Sequence, residues 1–356
     1  MPHPEDGLTT ALLQALSGEV PPPFAVRRYH PLPQVGAGER GFTVDQTNRS
    51  IVVGERVVVK WLTPPVPMPH PTPAAFAHLT EVGFADTAPP YAAITRWEGA
   101  EELLVALVTG FLPGARDGWE WCVDEAEAGR TAFAADLGRL AADLHLALAT
   151  FPDPAPEAHP AEGLDTTAAA TRAERALAEA MALTGGADGA WLASREDAMR
   201  AELAPLAGPV ESELIRIHGD LHVGQILQWR DGYAVIDFDG NPTIAEAAPY
   251  QPAARDVAQL TTSLEHVAQV AVKRRGTAPA DAARWARESR AAMLAAYTTR
   301  LSERGRPELL DAALIRPFEV EQECRELIYA ARHLPRWRYA PMGVLRTWYP
   351  DPEETP

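Results

Sequence analysis

The stretch IHGDLHVGQILQWRDGYAVIDFDGN, residues 217–241, decides the fold. ELIRI (213–217) predicts a strand, and the HGDLHVGQ that follows it a loop. QILQW and YAVIDFD then pair as a hairpin turning at Arg230-Asp231-Gly232, because Asp-Gly is a strong turn signal. Asp220 falls in the loop, Gln225 lies five residues on, and Asp237 twelve further, at the end of the hairpin's second strand. A lone DFDG is most simply a pair of loop acids capping a strand. The combined spacing, set in strand, loop and hairpin, points instead to chemistry. Asp220 can accept a proton, and Gln225 Oε1 and Asp237 can supply oxygen to a hard cation.

Upstream, Leu8, Leu12, Leu13 and Leu16 predict a short helix within 1–18, ended by PPPF and PLPQ. TVDQTNRSIVVGERVVVKWL predicts two strands turning at Gly54-Glu55. Six prolines in 63–73 predict irregular chain there, followed by a helix at about 74–82. YAAITRW and LLVALVTGFL are two further strands, ended by Pro113-Gly114. Helices dominate beyond: GRTAFAADLGRLAADLHLALA, then two Ala-rich segments at 165–184 and 188–206 behind the proline-rich 152–163. From 253 the chain reads as helical until WRYAP breaks it. The expected architecture is α+β. It comprises an N-terminal cap segment (1–45), a small β-rich lobe (46–114) and a large helical lobe (115–356).

Composition narrows the function. The chain has 356 residues, 46% hydrophobic content, a net charge of −17 and a pI near 5.0. That suffices for two lobes and lacks the basic footprint of a nucleic-acid binder or an anionic-membrane binder. Two cysteines make neither a disulfide framework nor a Cys-rich metal site. MPHPEDGLTT carries no basic and apolar leader, and no uncharged apolar run reaches the ~20 residues of a membrane span. The expectation is a cytoplasmic enzyme with a small-molecule substrate, whose oligomeric state composition leaves open.

The Asp220, Gln225, Asp237 arrangement resembles the catalytic loop of protein kinases. HGDLHVGQ with IDFDGNP is similar to the aminoglycoside phosphotransferase and choline kinase superfamily. It is more closely similar to actinobacterial maltokinases and glucosamine kinases, which share Gln in place of the usual Asn. LGRLAADLHLALA (137–149) and EQECRELIYAARHLPRWRYAP (321–341) fit the same family, mostly from about residue 100 onward. The resemblance implies a bilobal kinase-like fold, ATP, Mg²⁺ held by Gln225 and Asp237, and Asp220 as the base. Asp239 becomes a further metal or substrate contact, and Arg255-Asp256 a structural pair behind the loop. Lys60, in the strand VVVKW, takes the role of the phosphate-binding lysine, with Glu81 as its acidic partner, although no GxGxxG precedes it. VTGFLPG (108–114) becomes the hinge, with backbone at Gly110 and Phe111 meeting adenine. His222 is expected near substrate. His145, on an apolar helix face, reads as a core histidine.

Segment 317–340 is the expected substrate wall, with Glu321, Gln322 and Glu326 as contacts. A solvated charged helix face is the competing interpretation of that run. The implied reaction is phosphorylation of a sugar: glucosamine first, maltose second, an aminoglycoside third. A pseudokinase is disfavoured by intact Lys60, Asp220, Gln225 and Asp237. A glycoside hydrolase has only the Asp220 and Asp237 carboxylates to recommend it.

Overall fold

The computed structural model describes residues 3, 6–36, 38–42, 49–152, 166–208, 213–241 and 250–351. Most of the proline-rich 152–163 segment and the start of the expected first hairpin lie outside the described residues. The chain forms two compact units, Met1–Arg116 with Leu227–Pro242, and Asp117–Ile226 with Thr243–Pro356. The returning piece, which carries Asp237, differs from the expected division: it belongs with the N-terminal sheet rather than the helical lobe. Residues 1–45 are likewise part of that sheet unit and not a separate cap.

The first unit runs α1 (Leu8–Ala15), β1 (Phe24–Arg28), β2 (Glu39–Gly41), β3 (Arg49–Val53), β4 (Val57–Pro67), α2 (Pro71–Glu81), β5 (Pro90–Glu98) and β6 (Glu101–Gly110). The strands make one antiparallel sheet in the order β1-β5-β6-β4-β3-β2. Gly54 and Glu55 turn β3 into β4, both at positive φ (58° and 54°), as a tight hairpin with the sheet's twist requires. The alternation of β4 buries Val57, Val59 and Trp61 against Leu13 of α1 and Leu16 at its C-terminal end. Lys60 therefore points to the opposite face of the sheet.

The six-proline stretch is regular after all. β4 continues to Pro67 through a register shift between Trp61 and Val66, and α2 begins at Pro71. Past Trp61, β4 pairs among the described residues only with β6, so prolines there need no donor toward the β3 side. Pro71 opens α2, where its missing N–H costs nothing.

The second unit continues with α3 (Gly118–Glu127), α4 (Phe133–Leu148), α5 (Thr166–Leu183), α6 (Gly186–Ala193), α7 (Glu196–Leu203) and β7 (Leu214–Arg216). The hairpin β8 (Ile226–Trp229) and β9 (Gly232–Val235) follows in the chain. Then come β10 (Tyr250–Pro252), α8 (Ala254–Val270), α9 (Pro279–Glu303), α10 (Ile315–Arg332) and α11 (Tyr339–Trp348). Three expectations change. α3 was unforeseen, the second Ala-rich helix is two helices, and WRYAP starts α11 rather than ending the helical region. Pro341 sits in the first turn of α11, where proline is tolerated. No helix among the described residues is long and apolar enough to cross a membrane.

α4 and α9 cross closely at Gly138, where a Cβ would lie 2.2 Å from Met293 O and 2.9 Å from Tyr297 N. His145, one of the fully buried residues of α4, binds the Tyr297 hydroxyl through Nδ1 at 2.7 Å, which makes it a core histidine as expected. Backbone cannot yield at Gly138 without moving a helix. Gly138→Ala is expected to lower unfolding free energy by about 1–3 kcal/mol. Urea denaturation checks this, and a stability equal to or above that of the parent contradicts the packing.

Candidate active site

The second unit holds the loop after β7 by one buried carboxylate. Asp256, in the first turn of α8 and fully buried, accepts from His218 N (2.7 Å, Oδ2) and Gly219 N (2.9 Å, Oδ1). Its Oδ2 also meets His145 Nε2 at 3.2 Å. Burial opposes its ionisation, but these donors outweigh burial and hold its pKa below the usual carboxylate value. The expected structural role of Asp256 takes this form. Gly219, at φ 84°, makes the left-handed bend that precedes Asp220.

Asp220 is largely enclosed, with a side chain 17% exposed. Its Oδ1 accepts from Gln259 Nε2 at 2.6 Å, one turn along α8 from Asp256. Its Oδ2 lies 3.5 Å from Gln225 Nε2 and 3.7 Å from His222 Nε2. With the amide nitrogen of Gln225 turned to Asp220, the amide oxygen is free to face a cation. His222 Nδ1 accepts from Gly224 N at 3.0 Å, which leaves the proton on Nε2, toward Asp220. Burial pushes the His222 pKa down, against the pull of Asp220 and Glu326.

Aromatic rings continue from His222. Trp119 lies 5.9 Å from the His222 ring and 5.7 Å from Trp337, and Trp337 lies 5.6 Å from His266. Trp337 Nε1 donates to Glu326 Oε2 at 2.7 Å, and Gln322 Nε2 donates to Glu326 Oε1 at 3.0 Å. α3 presses on this loop: a Cβ on Gly118 would fall 1.6 Å from Val223 O, and one on Gly224 2.5 Å from Trp119 Nε1. Trp121, also on α3, donates to Ile226 O at 3.0 Å.

Among the three expected wall residues, Glu321 stands apart. It is 1% exposed and paired with Arg325 (2.6 Å), Arg172 (3.3 Å) and Arg255 (3.6 Å). Burial raises its pKa, yet the three guanidiniums pull it down to about 2. Its charge is already balanced, so it is a structural carboxylate rather than a substrate contact. Glu326, by contrast, has no arginine or lysine partner among the described residues.

In the first unit, Lys60 Nζ reaches Asp237 Oδ1 at 2.7 Å and Asp239 Oδ2 at 2.6 Å. Glu81, exposed at the end of α2, is not its partner. Burial would lower the Lys60 pKa, but the two carboxylates keep it above the usual lysine value. Thr72 Oγ1 donates to the other oxygen of Asp239, whose pKa is held down by Lys60 against burial. Asp237 sits at φ 66°, a left-handed conformation in which Asp is among the tolerated residues, and its carboxylate is 38% exposed. The expected hinge differs in one respect: Gly110 N already donates to Pro89 O (2.8 Å) and Phe111 N to Arg56 O (2.9 Å). Neither N–H remains for adenine.

The phosphotransferase enzyme family (APH) matches residues 74–258. The chain belongs to this family. A glucosamine kinase of Streptacidiphilus jiangxiensis is 41% identical, covering 98% of this chain and 82% of its own. One from Mycolicibacterium smegmatis (strain ATCC 700084 / mc(2)155) is 38% identical, covering 96% and 88%. A solved glucosamine kinase in complex with glucosamine, ADP and inorganic phosphate is 36% identical. It superposes with a TM-score of 0.80 over 98% of this chain and 84% of that one. The coverage includes the N-terminal 100 residues, which had shown the weaker resemblance. For this phosphotransferase the chain has the kinase-like α+β fold expected from residues 217–241.

Sequence reasoning missed Gln259, Trp119 and Trp337 as site residues. Trp337 stood in the quoted LPRWRYAP, whereas nothing local distinguishes Gln259 from any other polar helix residue. Asp256→Ala should strand the buried His218 N–H and the part-buried Gly219 N–H and cost at least about 2 kcal/mol of stability. An unchanged urea midpoint would contradict the role given to this carboxylate.

Proposed function

We propose that the chain transfers the γ-phosphoryl group of ATP to glucosamine, yielding glucosamine 6-phosphate and ADP. The observation that carries the choice of sugar is Glu326. It is a half-buried carboxylate oriented by Gln322 and Trp337, not neutralised by arginine or lysine among the described residues, in a wall built with Trp119 and His222. Such a group suits an ammonium, and indole faces suit the apolar side of a sugar ring. The 36–41% identical glucosamine kinases support the same reading.

Asp220 accepts the proton of the attacking hydroxyl, and the hydroxyl oxygen bonds to the γ-phosphorus as the bond to the β–γ bridging oxygen breaks. Gln259 holds one Asp220 oxygen so that the other faces the hydroxyl. Lys60 neutralises the α/β-phosphates. Asp237 and Gln225 each carry the kind of oxygen a hard cation takes, and Asp237 is partly exposed. They would hold Mg²⁺, which supplies charge neutralisation on the transferring phosphates.

Asp220→Asn is expected to lower kcat by about 10²-fold or more while leaving ATP affinity nearly unchanged. A coupled ADP-release assay checks this, and a variant with over half the parent kcat would remove Asp220 from the mechanism. Glucosamine should exceed glucose in kcat/KM by at least about tenfold, since a charge-assisted bond is worth roughly 1.5–3 kcal/mol. Glu326→Gln should shrink that ratio, and Glu321→Gln should act through stability instead. Equal rates on the two sugars would defeat the amine argument, and a preference for maltose would make this a maltokinase.

A further inference from the structure

α10 carries a second functional-looking face, away from Gln322 and Glu326. Where it packs on α5 it leaves a cleft of about 250 Å³. Arg172 and Arg175 of α5 line it with Arg325 and Arg332 of α10, and Tyr329 and His333 complete the rim. Four arginines gathered on one cleft are unexpected in a chain with 49 acidic and 32 basic residues. Their local acids do not consume them. Arg332 pairs with Glu179, and Arg172 and Arg325 share Glu321 beneath the cleft. Two carboxylates thus face four guanidiniums. Arg172 Nη2 is buried with no hydrogen-bond partner, and exposed Arg175 pairs with no acid among the described residues.

A buried donor left unmade is costly, and a bound anion removes that cost. Guanidinium forks match phosphate oxygens bidentately, so several converging arginines select a phosphate over a point anion. The volume lies just below the roughly 300–1,000 Å³ of sites for larger ligands, which leaves room for a phosphate with a short body and excludes a nucleotide. We propose that this cleft is a second ligand site, binding a phosphate dianion, either free or carried on a small organic molecule.

Isothermal titration calorimetry on the full chain, at constant ionic strength, tests it with glycerol 3-phosphate and separately with inorganic phosphate. Arg175→Ala and Arg332→Ala change exposed side chains and leave the buried Glu321 cluster in place. Each should weaken binding about tenfold or more, the equivalent of one charge-assisted bond. Lys60→Ala should leave this binding unchanged, which separates it from phosphate held by the catalytic residues. Tighter binding of the ester identifies an organic phosphate as the occupant, and equal binding with the same arginine dependence identifies free phosphate. Binding unaffected by either arginine variant, lost in Lys60→Ala, or matched by chloride would overturn the proposal.

Discussion

The chemistry of the helical unit depends on the hydrogen bonds that the Asp256 carboxylate accepts from His218 N and Gly219 N. A loop has no ladder of its own to hold it, and backbone donors in a buried place must find an acceptor. Asp256 supplies one from a rigid helix, and Gln259, one turn along, fixes the carboxylate that the loop presents. Arg255, the neighbour of Asp256, reaches the other way to Glu321 on α10. Two consecutive residues therefore tie the loop and α10 to the start of α8.

Electrostatics divides the acids of α10 by what surrounds them. Glu321 is buried among three guanidiniums, and the attraction exceeds the desolvation that would otherwise neutralise it. Glu326, five residues on, accepts hydrogen bonds from the neutral donors Gln322 and Trp337, while His266, its pKa raised to about 9 beside Glu323, acts on it from farther off. A charge that is already balanced has little left to give a ligand. A charge oriented by neutral groups keeps its attraction for a cation. Helical spacing alone would not have separated these two residues.

The sheet unit uses the same principle. Strand alternation sends Lys60 to the face away from α1, where Asp237 and Asp239 await it after the returning hairpin. Two carboxylates within hydrogen-bond reach keep the lysine protonated although it is largely enclosed. Thr72, at the start of α2, takes the remaining oxygen of Asp239. The lysine and both acids are thus set in place by separate segments of a single sheet unit.

The sequence by itself determined the α+β kinase-like class, the hairpin at 226–235 and the family to which the chain belongs. Those depend on local turn chemistry, strand alternation and residue spacing, which a linear text carries. It also pointed to His145 as core, since an apolar helix face announces burial. Tertiary structure alone decided that Lys60 pairs with Asp237 and Asp239 rather than Glu81, and that Gly110 and Phe111 have no N–H to spare. It alone singled out Gln259, and it alone separated Glu321 from Glu326. The physical reason is common to all four. Which partner satisfies a charge or a hydrogen bond depends on groups that the fold brings within about 3 Å, 39 residues apart for Gln259 with Asp220 and 179 for Lys60 with Asp239, and residue spacing alone does not record that pairing.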